Sequence, residues 1–188
     1  MKTKGFTLIE MLVVISIFTI ITAVVLANFP AFRDKTALDL IAQEIATTIR
    51  QAQVYGIGTR EAGASFSSYG TYFNIDLSAG GDKKSFILFA DTVASEGYNS
   101  GDSLVEKFAI IGSAEIFSLT GCSDNVCTSV ETLNNLNILF QRFYPEAKFI
   151  GGSGNFSYVK IGVRSTRGLN SERSINVWNT GQIVVKTI

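Results

Sequence analysis

The chain has 188 residues, 16 basic and 16 acidic side chains, a formal net charge of zero and no histidine. Neutrality gives no overall basic character of the kind that marks nucleic-acid binders. Without histidine there is no Ser-His-Asp triad and none of the common zinc ligand sets. Gly151-Gly152-Ser153-Gly154 lacks the Lys-Ser/Thr ending of a phosphate loop. An enzyme is not expected.

The opening stretch, Met1 to Phe32, begins with a short basic head, Lys2 and Lys4, followed by Gly5. From Met11 to Phe32 no residue is charged, a run long enough to cross a hydrocarbon core of about 30 Å as a helix. Glu10 stands at the start of that run. A carboxylate inside a bilayer costs roughly 2.5–3.5 kcal/mol on insertion scales, so its presence points to a function and a partner. The plainer reading is a signal anchor with Glu10 at headgroup level. A secretory signal peptide has a shorter apolar core, about 7–15 residues, ending in an Ala-x-Ala-like site. Lys2 and Lys4 argue for a cytoplasmic head by the positive-inside rule. Arg33 and Lys35 on the far side weigh against this, with Asp34 between them. On balance a single pass is expected, with the C-terminal body outside the cytoplasm.

The segment Lys4-Gly5-Phe6-Thr7-Leu8-Ile9-Glu10, with the apolar run behind it, resembles the prepilin leader of type IV pilins and type II secretion pseudopilins. The resemblance implies a leader of residues 1–5, cut after Gly5 by a prepilin peptidase on the cytoplasmic side. It also implies N-methylation of the new terminus, Phe6. In that family the acid corresponding to Glu10 pairs with the N-terminal amine of a neighbouring subunit as a helical filament grows. An ammonium partner does offset the cost of a desolvated carboxylate. The implied partners are other pilins, the peptidase/methylase and the inner membrane, where the subunit waits before entering a pilus or pseudopilus.

Pro30 removes a backbone donor and is expected to kink or briefly interrupt the helix. Helical character then resumes, with Leu38, Ile41, Ile45, Ile49 and Ala52 on one face and Asp34, Lys35, Asp39, Gln43, Glu44, Arg50 and Gln51 on the others. Gly56 and Gly58 stop it. The helical segment, residues 6–57, is therefore apolar all round in its first half and amphipathic in its second, which is expected to pack on a sheet.

About 130 residues remain, enough for one domain with a real core. Runs rich in β-formers are broken by Gly, Asn, Asp and Ser. The expected strands are Thr71–Asp76, Ser85–Ala90, Leu104–Ile111, Ala114–Leu119, Leu136–Phe143, Lys148–Ile150, Tyr158–Arg164, Arg173–Trp178 and Gln182–Lys186. Asn179-Thr180-Gly181 reads as a hairpin turn between the last two. The expected fold class is α+β, a long N-terminal helix packed on an antiparallel β domain spanning 58–188.

Three downstream stretches resemble GspH/FimT-type minor pseudopilins. They are Phe89-Ala90-Asp91 before a polar loop ending in Gly101-Asp102; Leu139 to Pro145 followed by Ala147 to Ile150; and Ile175-Asn176-Val177 followed by Gly181 to Val185.

Three side-chain groups could carry chemistry. Cys122 and Cys127, spaced C-x4-C, read as a short-loop disulfide outside the cytoplasm. A two-thiolate metal site is the alternative, but no histidine or further cysteine completes it. Asp91, Glu96, Asn99 and Asp102 offer oxygen ligands for calcium on a bent loop, and some pseudopilins of this kind bind it. The same residue types are the default of exposed turns, and that reading is preferred. Finally, Lys160, Arg164, Arg167, Arg173 and Lys186 face only Glu172 in the C-terminal region. Some FimT-like proteins bind DNA through arginines in such a place, and Arg164, Arg167 and Arg173 could contact phosphates; a solvated loop between strands is the preferred alternative. Three function classes stand after this reading: filament building, DNA capture at a pilus tip, and a membrane-anchored binding module.

Overall fold

The computed structural model describes residues 5–58, 61–62, 65–66, 68–92, 97–167 and 171–187. Helix α1 runs from Leu8 to Ile57, 50 residues or about 75 Å at the helical rise. Thr7 caps its start, and Gly58 closes it by donating its N–H to the Val54 carbonyl at 2.8 Å. The expected interruption at Pro30 is absent, and the helix continues through it. One donor is lost from the ladder, but inside a bilayer a break in the apolar run would strand several more backbone groups without water.

The two halves of α1 have different surroundings. The large apolar side chains from Phe6 to Phe32 are exposed, and this is the one helix among the described residues long and apolar enough to cross a membrane. Past that run, Leu38, Ala42, Ile45, Ala46, Ile49 and Ala52 are buried, a stripe at three- and four-residue spacing. Ile41, expected in the stripe, is half-buried at its margin. Arg33, Lys35, Asp39, Gln43, Glu44 and Arg50 face outward.

The helix is followed by strands β1 (Glu61–Ala62), β2 (Ser65–Phe66), β3 (Ser68–Asn74), β4 (Ser85–Asp91), β5 (Ser103–Ala109), β6 (Ala114–Cys122), β7 (Val130–Leu133), β8 (Asn135–Phe140), β9 (Ala147–Ile150), β10 (Tyr158–Ser165), β11 (Glu172–Trp178) and β12 (Ile183–Thr187). β1 and β2 make a small hairpin. One five-stranded sheet has the order β5-β4-β3-β8-β9, the other β12-β11-β10-β6-β7. Every pairing is antiparallel. Both sheets meet the helix, β3, β4 and β8 from the first and β6, β10, β11 and β12 from the second. Phe73, Leu88 and Ile138 of one sheet and Ile116, Ile161, Val163, Ile175 and Val177 of the other join the helix stripe in a single core.

Each expected strand has a counterpart whose ends differ by no more than three residues. β7 and the β1–β2 hairpin were not expected. β7 is an edge strand whose four residues are mostly exposed or half-exposed, so it carries little of the alternation that marks a strand. At the expected hairpin turn, Gly181 has φ +84°. A side chain there would also run into the Pro145 carbonyl, so only glycine serves.

The body has two ends along α1. At one, Asp34 accepts from Ser113 Oγ at 3.1 Å and from Arg167 at 3.4 Å. At the other, Gln53 Nε2 donates to the carbonyls of Pro145 (3.0 Å) and Gly181 (3.2 Å).

Candidate functional site at the helix N-terminus

Four N–H groups at the start of any α-helix lack intrahelical acceptors. Here Thr7 and Glu10 supply them reciprocally. Thr7 Oγ1 accepts from the Glu10 N–H at 3.3 Å, while Glu10 Oε2 accepts from the Thr7 N–H at 2.9 Å and from the Thr7 hydroxyl at 2.8 Å. This is a capping box. Its signature, Thr-x-x-Glu before an apolar run, was legible in the sequence, yet the sequence reading weighed Glu10 alone and missed Thr7. Both donors fall on Oε2, and Oε1 has no donor among the described residues. Phe6, Ile9, Val13 and Val14 form a shallow apolar groove on either side of the carboxylate. Gly5 and Phe6 precede the helix and are exposed; Lys2 and Lys4 lie outside the described residues. The site thus presents an oriented carboxylate, Oε2 held by Thr7 and Oε1 without a donor among the described residues, at the head of an apolar run.

Cys122 and Cys127 form the expected disulfide, with Cα atoms 4.8 Å apart. Sequence reasoning missed what shapes the loop they close. Asp124 accepts from the N–H groups of Val126 (2.8 Å), Thr128 (3.0 Å) and Ser129 (2.9 Å) and from the Thr128 hydroxyl. These bonds, the hydroxyl's first, hold its carboxyl well below the usual carboxylate range.

Of the proposed calcium ligands, Asn99 and Asp102 have local partners. Asp102 accepts from the N–H groups of Thr92 (3.1 Å) and Asn99 (2.9 Å), and Asn99 Oδ1 accepts from the Gly101 N–H at 2.8 Å. Asp91 is buried at the end of β4, and Glu96 lies outside the described residues. Among the described residues no cluster of three metal-ligating His, Cys, Asp or Glu side chains exists. Asn99 and Asp102 act here as turn residues that satisfy backbone donors.

The basic C-terminal side chains each have a partner as well. Arg164 pairs with Glu115 at 2.8 Å, Arg167 with Asp34 at 3.4 Å, and Arg173 with Asp39. Lys160 lies 5.5 Å from the ring centre of Tyr158 and Lys186 6.0 Å from that of Trp178, two rings stacked on each other at 5.3 Å. Arg167 and Arg173 fasten the β10–β11 region to α1.

Residues 1–26 match a family described as the prokaryotic N-terminal methylation motif, 26 of the 188 residues. Together with the apolar helix, the match supports a type IV pilin-like subunit. The family it points to is that of the type IV pilins and pseudopilins, which is structural rather than catalytic. The same two features fit a membrane-anchored protein that is assembled into a pilus. No curated protein and no solved structure gives a significant match to the chain.

Proposed function

We propose that the protein is a minor pilin or pseudopilin of the GspH/FimT type, made as a prepilin with leader 1–5, helix 6–57 and a body 58–188 outside the cytoplasm. The prepilin peptidase removes the leader after Gly5 and Phe6 is N-methylated. The subunit waits in the inner membrane through the first half of α1 and then enters a type IV pilus or type II secretion pseudopilus.

The observation that carries this reading is the held carboxylate at the head of an unpacked apolar rod. Glu10 keeps Oε2 on Thr7 and leaves Oε1 for the terminal amine of a neighbouring subunit. Such a pair offsets the desolvation of both charges and sets the axial register between two rods. The exposed apolar sides of the helix then exchange lipid for the same surface of other subunits. DNA capture draws on Arg164, Arg167 and Arg173, and their carboxylate partners make filament building the preferred reading. The mass of protein taken from the cell envelope tests it: a chain beginning at N-methylated Phe6 is expected, and one retaining residues 1–5, or cut beyond Phe32, would overturn it.

A further inference from the structure

The apolar run of α1 ends at Phe32. Two residues on, Asp34 is buried and accepts from Ser113 Oγ at 3.1 Å. That contact fixes the loop between β5 and β6 at the level of residue 34, about 3 Å beyond Phe32 by the helical rise. The loop before β4 is fastened to it in turn. The Ile110 N–H donates to the Lys84 carbonyl at 2.7 Å, the Ile116 N–H to the Lys83 carbonyl at 2.8 Å, and Lys84 Nζ to the Gly112 carbonyl at 2.8 Å. Three segments far apart in sequence therefore meet within one helical turn of the apolar boundary.

What they present there is unlike an ordinary solvated turn. Ile111 is 85% exposed, and Leu77, on the turn that leads to Lys83 and Lys84, is 68% exposed. On the same segments Arg33, Lys35 and Lys84 are exposed and Lys83 is half-exposed. The acids of this rim are already engaged. Asp34 binds Ser113 and Arg167, Asp76 accepts from the Ser78 N–H and hydroxyl, and Asp82 accepts from the Lys84 N–H. With Arg167 included, five cations stand against those three carboxylates. Arg164 and Arg173, further along the body, are balanced by Glu115 and Asp39.

We infer that this rim is a docking surface for an anionic lipid bilayer, with Ile111 and Leu77 entering the headgroup layer and Arg33, Lys35, Lys83 and Lys84 meeting its phosphates. Apolar side chains flanked by cations are what such an interface accepts. The bilayer is the occupant because the apolar run that must sit in it ends within about two residues of the rim, and the charges are complementary. The inference rests on the membrane-anchored reading of α1. Docking would fix the tilt and rotation of the body on its helix before assembly, so that one face of α1 is already turned to an incoming neighbour.

The test uses the full chain in nanodiscs of phosphatidylcholine alone or of equimolar phosphatidylcholine and phosphatidylglycerol. Cys122 and Cys127 are tied in a disulfide, so Ile111→Cys gives one thiol for an environment-sensitive dye, with Val126→Cys on the disulfide loop and Leu26→Cys in the apolar run as references. A headgroup-level spin-labelled lipid should quench the Ile111→Cys dye at least about twofold more in anionic than in neutral nanodiscs, and high salt should remove the difference. Arg33→Gln, Lys35→Gln and Lys84→Gln combined should abolish it, with circular dichroism showing the body still folded. Equal quenching of the Ile111→Cys and Val126→Cys dyes in both bilayers, while the Leu26→Cys dye is quenched from mid-bilayer, would overturn the docking alone. Loss of the Leu26→Cys signal as well would overturn the membrane anchor and the docking together.

Discussion

The two halves of α1 share one backbone and one hydrogen-bond ladder but differ in how many faces are apolar. Between Leu38 and Ala52 the apolar residues keep to a stripe, and the partner for that stripe is in the same chain. Between Phe6 and Phe32 large apolar side chains occupy every side, and nothing among the described residues covers them. A stripe specifies one surface and one register, whereas an apolar cylinder specifies only a solvent. On the proposed reading, the reciprocal pair of Thr7 and Glu10 carries in the cylinder the positional information that the stripe carries by shape.

That contrast is open to direct attack. The largest effect is expected from Glu10→Ala, which should leave membrane insertion intact, since the transfer cost of a carboxylate disappears. Incorporation into sheared filaments should be nearly lost, and the ratio of membrane pool to filament fraction measures it. In the stripe, Ile49→Ala removes a fully buried side chain and should cost the body about 2–5 kcal/mol. Ile17→Ala, in the exposed run, should leave the denaturant midpoint of the detergent-solubilised chain unmoved. A comparable loss from Ile17→Ala would mean the first half packs on the body after all.

Smaller effects refine the picture away from the helix. Removing the Cys122–Cys127 link by Cys122→Ser with Cys127→Ser should cost at most about 2–3 kcal/mol, because the loop it closes is short. The denaturant midpoint reads this. The smallest effect is expected from Asp39→Asn. The Arg173 guanidinium, by its hydrogen bond, holds Asp39 below its ordinary 3.8. A lowered carboxylate stabilises the native state fully above the unfolded value, near pH 4, and the contribution is lost as pH falls through the folded value. Asp39 is largely exposed in this pair, so solvent screening keeps the change below about 1 kcal/mol at neutral pH. The variant should show a flatter loss of stability below about pH 4 than the parent.

How much was readable beforehand follows from the range of the forces involved. The amphipathic stripe and the main strands of both sheets were legible because periodicity is local. β7 was not, since an exposed edge of four residues leaves almost no pattern. The partners of Arg167 and Arg173 were invisible for another reason: Asp34 and Asp39 lie 133 and 134 residues away, and only the folded topology brings them together. The role of Asp124 was hidden at short range, because a carboxylate in a polar loop gives no sign of which N–H groups will turn toward it. At the candidate site, Gly5, Phe6 and Glu10 stood out as a motif, while the hold of Thr7 on Oε2 of Glu10 is a fact of geometry.

The continuity of α1 through Pro30 has a mechanical side. A rod about 75 Å long, helical without interruption from its apolar half to its docked half, acts as one lever. A pull along its axis reaches the body as shear over the whole stripe, with Leu38, Ile45 and Ile49 loaded together and with Asp34–Arg167, Asp39–Arg173 and Gln53–Gly181 spread along the same line. Contacts loaded in parallel yield only as a group, whereas a hinge at residue 30 would let the body swing and peel from one end. On the membrane-anchored reading, the uninterrupted helix can thus carry traction from the bilayer to the far tip of the molecule.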